Sequence, residues 1–327
     1  MLILSAEDVR RALPMHEAIA ATKRAYASLS SGKAVVPLRT RLSIPGSEAL
    51  SLFMPAFVSS QEENALAIKV VSLFPSNPPR GLAYIQAAVL VFDPDTGRTV
   101  ALLEGSSLTA IRTGAAGGAA IDLLARKDSQ IVAVFGAGAQ GRTQLEAACI
   151  ARKIKTVYIF DRNVDKAQSF ADKMKSRTIE DIRVAKNSKE AIENADIICT
   201  ATTSTQPVFN DADLKAGTHI SAVGSYTPEM QEVPAGTLTR AKIFVDSRSA
   251  ALEEAGDLIQ PIRAGLFDES HILGELGEVI LGRQDGRQSQ EEITYFKSVG
   301  IAVQDAMAAQ VALNNARKMN IGTEVDF

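Results

Sequence analysis

The stretch "IVAVFGAGAQGRTQLEAACI", Ile131–Ile150, constrains this chain more than any other. A short apolar run meets Gly136, Gly138 and Gly141 in a GxGxxG spacing, and a helical pattern follows at once. Alone, that spacing also suits a plain tight turn. Here it sits between an expected strand and an expected helix, with a second strand, "TVYIFD", beyond, which is the context of a dinucleotide fingerprint. The first glycine lets the chain turn, the second lets backbone approach a pyrophosphate, and the third lets helix and strand pack closely. Free N–H groups at the helix start, around Ala139 and Gln140, present the positive end of the helix dipole to phosphates. Asp161 ends the next strand about 20 residues further on, where an acid accepts hydrogen bonds from the adenosine ribose. Its charge favours NAD over the 2′-phosphate of NADP. Arg162, next to it, is able to pair with that phosphate, so NADP stays open; a solvated strand-end charge would explain Arg162 equally well.

From Ser129 onward, strands alternate with helices: "IVAVF", "AQGRTQLEAACIAR", "TVYIFD", "VDKAQSFADKMKS", "ADIICTAT", "THISAVG" and "AKIFVD". That rhythm argues a doubly wound parallel sheet of α/β class, covered on both faces. The region before it reads differently. Ser5 and Asp8 form a capping box, and Pro14 suits the first turn of a second helix over Met15–Ser31. "LAIKVVSLF", "LAYIQAAVLVF" and "TVALLEG" are strands, the last two joined by the turn "DPDTG". A helix rich in Gly and Ala follows, "SLTAIRTGAAGGAAIDLLAR". Small residues cost helix propensity, so they point to close backbone packing. The end, "GIAVQDAMAAQVALNNARKM", is a long helix lying beyond the alternating region.

Composition narrows the function. In 327 residues, 46% are hydrophobic and 22% charged, ordinary for a soluble protein with an ample core. A net charge of −3 offers no field for nucleic acid or an acidic membrane. No apolar run is long enough to span a bilayer, and the start of the chain does not read as a signal peptide. Cys149 and Cys199 read as buried, reduced thiols, which fits a cytoplasmic protein. His16, His219 and His271 lie in unrelated contexts with no metal-binding spacing, and no GxSxG elbow accompanies a nucleophile.

Several separate segments then point one way. "IKVVSLFPSNPPRGL", "SSLTAIRTGAAGG", "GAGAQG", "HISAVGSYTPEMQEV" and "GRQSQEEITYFKSVGIAVQD" occur in this order along essentially the whole chain. Together they resemble the ornithine cyclodeaminase/mu-crystallin family. The resemblance implies a Rossmann domain over 119–303, inserted into an α+β substrate and dimerisation domain made of 1–118 and 304–327. It implies hydride chemistry in a cleft, a homodimer, and a substrate carboxylate held by Arg39, Lys69 and Arg112. It extends the cofactor contacts to Thr202, Gly224, Ser225 and Ser298, although a capping role would explain Ser298 as well.

The basic residues make chemical sense in their own right. An Arg fork binds a carboxylate bidentately and sets the height of the reacting carbon. Lys69 lies in an apolar strand, where burial lowers its pKa and suits it to proton transfer. The plainer alternatives are a snorkelling Lys69 and a structurally paired Arg112. Arg41 competes with Arg39, being two residues on and on the same strand face. Tyr84 and Gln86 are expected to line the same site.

One position departs from the family pattern. Cyclodeaminases carry an aspartate where this chain has Tyr226, and tyrosine, with a pKa near 10, is a poor base at neutral pH. That disfavours cyclodeamination and leaves one-step imine reduction. The expectation is an NAD(P)H-dependent reductase of a small α-imino acid, Δ1-pyrroline-2-carboxylate or Δ1-piperideine-2-carboxylate. The alternatives are alanine dehydrogenase or ornithine cyclodeaminase activity, or a non-catalytic small-ligand binder.

Overall fold

The computed structural model describes residues 1–60, 63–175, 179 and 181–326. The chain forms two units, residues 1–112 with 301–327, and residues 113–300. The changeovers fall a little before those expected, 118/119 and 303/304.

The first unit is a mixed sheet with helices on one face. Its strands are β1 (Leu2–Leu4), β2 (Ala34–Val35), β3 (Thr40–Ser43), β4 (Leu50–Ser59), β5 (Asn64–Leu73), β6 (Ile85–Phe92) and β7 (Thr99–Glu104), with Thr323–Glu324 at the far edge. β4, β5, β6 and β7 form an antiparallel meander, and β1 adds in parallel to β7. β4 was not anticipated, because Pro55 interrupts its pattern. The structure shows why proline is tolerated there. β3 pairs with Leu50–Phe53 and β2 with Phe57–Val58, so Pro55 falls in the gap between them, where its missing N–H costs no ladder bond.

Alternate residues of β4 and β5 are buried: Leu52, Met54, Ala56 and Val58, then Ala65, Ala67, Lys69 and Val71. This face packs under the helix Ala302–Met319, which contacts α1 (Ala6–Ala12) and α2 (Met15–Ser30). The Ser5–Asp8 capping box is present. Pro14 is the N-cap of α2 rather than a first-turn residue, its extended backbone setting the entry to the helix. In the turn after β6, the Asp93 carboxylate accepts from the backbone of Asp95 and Thr96.

The second unit holds a fully parallel eight-stranded sheet. Its strands are β8 (Ile131–Phe135), β9 (Thr156–Phe160), β10 (Asp181–Val184), β11 (Ile197–Thr200), β12 (His219–Ala222), β13 (Lys242–Val245), β14 (Ile272–Glu275) and β15 (Thr294–Lys297), in the order β10-β9-β8-β11-β12-β15-β13-β14. β8 and β11 neighbour each other across a crossover, so strand order reverses beside β8, where ligands gather in such sheets. The edge and late strands β10, β14 and β15 were not anticipated. Two apolar clusters line the two sides of the sheet, one around Phe135, Ile198 and Tyr295 and the other around Val134, Ile159 and Cys199. Cys199 is buried, but Cys149 is only half-buried; burial pushes their thiols up to about 12 and about 11.

The Gly/Ala-rich segment forms α3 (Gly105–Leu124), and the glycine loop opens α4 (Ala139–Ala151). The helix "VDKAQSFADKMKS" is α5 (Val164–Lys175); its expected last residue, Ser176, lies outside the described residues. Close approach is indeed what the small residues of α3 permit. A Cβ on Gly114 would stand 2.5 Å from the Thr143 carbonyl oxygen of α4. Gly114→Val is therefore expected to cost about 1–3 kcal/mol through overpacking, read as a lower denaturation midpoint.

Candidate active site

The second unit presents a cavity of about 1180 Å³ at the glycine loop. Gly136, Gly138, Ala139, Asp161, Arg162 and Thr202 line it. Each glycine has its own geometry. Gly136 has φ of 100°, and a Cβ there would lie 2.5 Å from the Ala201 carbonyl oxygen. Gly138 is the N-cap of α4, and a Cβ there would meet nothing within 4 Å, leaving open space beside the backbone. A Cβ on Gly141 would collide with the Gly136 carbonyl, so the helix can sit against the turn only without a side chain.

Asp161 ties the loop to β9. Its Oδ2 accepts from the Ala137 N–H at 2.8 Å and its Oδ1 from the Asn163 N–H at 2.9 Å. Arg142 also lines the cavity, and its buried Nε has no hydrogen-bond partner among the described residues. The open space at Gly138, the helix N-terminus and this guanidinium fit a diphosphate. Arg142 directly follows the fingerprint, so its position was readable although its role was not.

Behind the cavity wall, Glu232 is wholly buried. Its two oxygens accept five hydrogen bonds, from Thr200 Oγ1, Thr202 N and Oγ1, Gly224 N and Ser225 N, at 2.6–3.1 Å. It thereby joins the carboxyl ends of β11 and β12. Burial raises its pKa; Lys297 opposes that and Asp257 adds to it. Asp257 in turn accepts from Tyr295 Oη at 3.1 Å and Lys297 Nζ at 3.3 Å. Gly224 serves this staple and, with Gln140, Gly141 and Ser298, does not line the cavity. Ser298 donates to Asp246 at 2.8 Å, and the same carboxylate oxygen caps the Val299 and Gly300 N–H groups.

In the first unit the structure brings Lys69 and Arg112 together around a residue the sequence reading passed over. Lys69 Nζ lies 2.7 Å from Asp305 Oδ2, an ion pair rather than an aligned hydrogen bond. Arg112 Nε donates to Asp305 Oδ1 at 2.9 Å, and its Nη1 donates to Gln304 Oε1 at 3.3 Å. Lys69, Arg112 and Asp305 are exposed by only 2%, 5% and 1%. Burial first, then the Arg112 charge, pulls Lys69 down to about 7; Asp305 acts upward and Arg39 downward.

Thr40 pairs with Phe53, and Met54 with Lys69, so Arg39 follows the row of Met54 and Lys69. Arg41, opposite Leu52, is exposed. Lys69 and Arg112 thus share one carboxylate, and Arg39 adds positive charge near Lys69, which suits an anionic ligand. Tyr84 and Gln86 are a correction. Lys69 pairs with Val89, so Gln86, three residues from Val89, points to the opposite sheet face, where it is exposed; Tyr84 precedes the strand altogether.

The model of the ornithine cyclodeaminase/mu-crystallin family matches residues 1–320. The chain belongs to that family. A Δ1-pyrroline-2-carboxylate reductase from Bacillus cereus is 40% identical, with all of both chains covered. The Thermococcus litoralis Δ1-pyrroline-2-carboxylate reductase, solved with NADH and L-proline, is 42% identical with a TM-score of 0.94, over 99% of this chain and 100% of that one. An archaeal alanine dehydrogenase dimer with bound NAD is 34% identical with a TM-score of 0.92, over 100% and 99%.

The cofactor side yields a direct test. Asp161→Ser removes a cavity-lining carboxylate that the fingerprint leads one to expect at the ribose, and is expected to lower kcat/KM for NADH by about 10- to 100-fold while raising NADPH use. A wild-type enzyme about tenfold more efficient with NADPH would contradict the NADH preference.

Proposed function

We propose that this chain is an NADH-dependent reductase of a small cyclic α-imino acid, Δ1-pyrroline-2-carboxylate foremost, forming L-proline. The observation that carries this reading is a buried Lys69 held beside Arg112 with cationic charge in excess. The Bacillus and Thermococcus relatives bear the same activity in their names. Arg112 and Arg39 bind the substrate carboxylate, and the apolar side chains beside Lys69, Met54 and Val89, favour an uncharged ring.

The glycine loop, Arg142 and Asp161 would hold NADH, which would supply a hydride for the imine carbon. Lys69 gives its ammonium proton to the imine nitrogen and regains one from solvent. The acid form of Lys69 prevails below its pKa of about 7 and is lost above it. Reduction therefore declines as pH rises through that range. A cytoplasmic location fits the same reading.

A second reading, alanine dehydrogenase, has the archaeal relative behind it and uses the same groups on a linear imine. Following NADH oxidation with the pyrroline and piperideine carboxylates, with pyruvate plus ammonia, and with ornithine separates these readings. The cyclic imines are expected to be the best substrates; activity confined to pyruvate and ammonia would sink the first reading.

Arg112→Ala is expected to lose about 2–4 kcal/mol of transition-state binding, about 30- to 1000-fold in kcat/KM, with NADH affinity spared. Lys69→Ala should lower kcat more than it raises KM, and Lys69→Arg should not restore turnover, because guanidinium does not give up its proton. An active Lys69→Arg enzyme would remove the proton-donor role.

The first unit also supports a homodimer. The sheet face opposite Lys69 carries half-buried Phe53, Phe57, Leu66, Ile68, Leu90 and Leu102. Such an apolar surface calls for a covering partner. Light scattering is expected to show a dimer, and Phe57→Glu to weaken it; a wild-type monomer at micromolar concentration would refute this.

A further inference from the structure

We propose that Asp305 is a positioning residue for imine reduction: one carboxylate oxygen holds the Lys69 ammonium and the other the Nε edge of Arg112, so that both cations are charged and aimed before substrate arrives. The inference rests on the reductase reading above and concerns how that site is built.

The geometry separates this role from simple charge neutralisation. Asp305 lies in the first turn of the C-terminal helix, where the helix dipole favours a carboxylate. The preceding residue, Gln304, works on the same guanidinium. Its Oε1 accepts from Arg112 Nη1 at 3.3 Å and from the Ile301 N–H at 3.0 Å, while its Nε2 donates to the Arg112 carbonyl at 3.3 Å. Arg112 is thus gripped at Nε and Nη1 by one helical turn. Nη2 has no hydrogen bond among the described residues, leaving that end of the fork for a substrate carboxylate.

Lys69 is caught in the same arrangement. The charged groups that act on it are Arg112 from α3, Asp305 from the C-terminal helix and Arg39 from the segment before β3, while Met54 and Val89 flank it on the sheet. Asp305 is the one carboxylate among them. Without it, two guanidinium groups and burial would all work against the ammonium form, and the proton needed at the imine nitrogen would be missing at neutral pH.

The test is the pH dependence of kcat/KM for Δ1-pyrroline-2-carboxylate, measured on the full-length protein alongside NADH affinity by fluorescence titration. Asp305→Asn keeps the shape and loses the charge. Its high-pH limb is expected to move down by about one unit, with kcat at pH 8 reduced about tenfold or more and NADH affinity held within about twofold. Asp305→Glu, which keeps the charge, is expected to return the limb to its wild-type position.

An Asn variant with the wild-type limb would overturn the proposal, whether or not its stability falls, because a purely structural carboxylate would change stability and leave the limb in place. Should the Asn variant not fold, Asp305→Ser, which also removes the charge, takes its place: a limb moved down supports the proposal, and an unmoved limb overturns it. A wild-type protein that binds NADH and reduces no imine overturns the reductase reading and this proposal together. An active wild type with an unmoved Asn limb overturns only this proposal.

Discussion

Burying an ammonium group against an apolar sheet face is the constraint on which the first unit is built. Lys69 occupies a core position in β5, between residues that are all apolar. Such a group survives only with a partner of opposite charge or by giving up its proton. The fold arranges an intermediate state. Asp305 supports the charge while Arg112 and Arg39 oppose it, leaving the amine near the midpoint of its titration at neutral pH. A proton poised in this way passes to a substrate and returns from water without a large barrier in either direction. The helix dipole, the Gln304 brace and the returning C-terminal helix all serve to keep that balance in place.

The second unit solves a different problem, holding loop backbone still around an open cavity. Here carboxylates act on N–H groups rather than on cations. Glu232 closes the ends of β11 and β12, Asp246 closes the turn after β15, and Asp161 ties the glycine loop to the end of β9. Backbone donors that would otherwise lack partners become fixed points, and a rigid cavity wall lowers the entropy lost when a ligand is ordered there.

Much of this was legible from sequence where the signal is local. Three glycines in fixed spacing after an apolar run have few physical uses; Gly136 and Gly141 each have a distinct steric reason, while Gly138 leaves open space beside the backbone. Lys69 stood out because a charge inside an apolar strand demands explanation. Asp305 did not stand out: a single acid on an Ala-rich helix looks like a solubilising residue, and its two partners are remote along the chain. Glu232 was hidden in the same way inside "TPEMQEV". The error at Gln86 came from strand phase, since the facing of a β-residue depends on register, which only the pairing with β5 reveals. Pro55 masked β4 because its tolerance depends on a gap between two edge strands that no local pattern encodes.

The discontinuous first unit also orders events during synthesis. Its sheet is encoded before residues 113–300, yet the helix that covers Lys69 spans Ala302–Met319, which is made only after them. While the chain is growing, that sheet face has no lid and its ammonium group has no counterion. The intervening residues 113–300 form a complete unit with cores of their own and are free to fold as soon as they emerge. The second unit is therefore free to mature before the first, and Lys69 acquires its acidic partner only after residues 113–300 have been made.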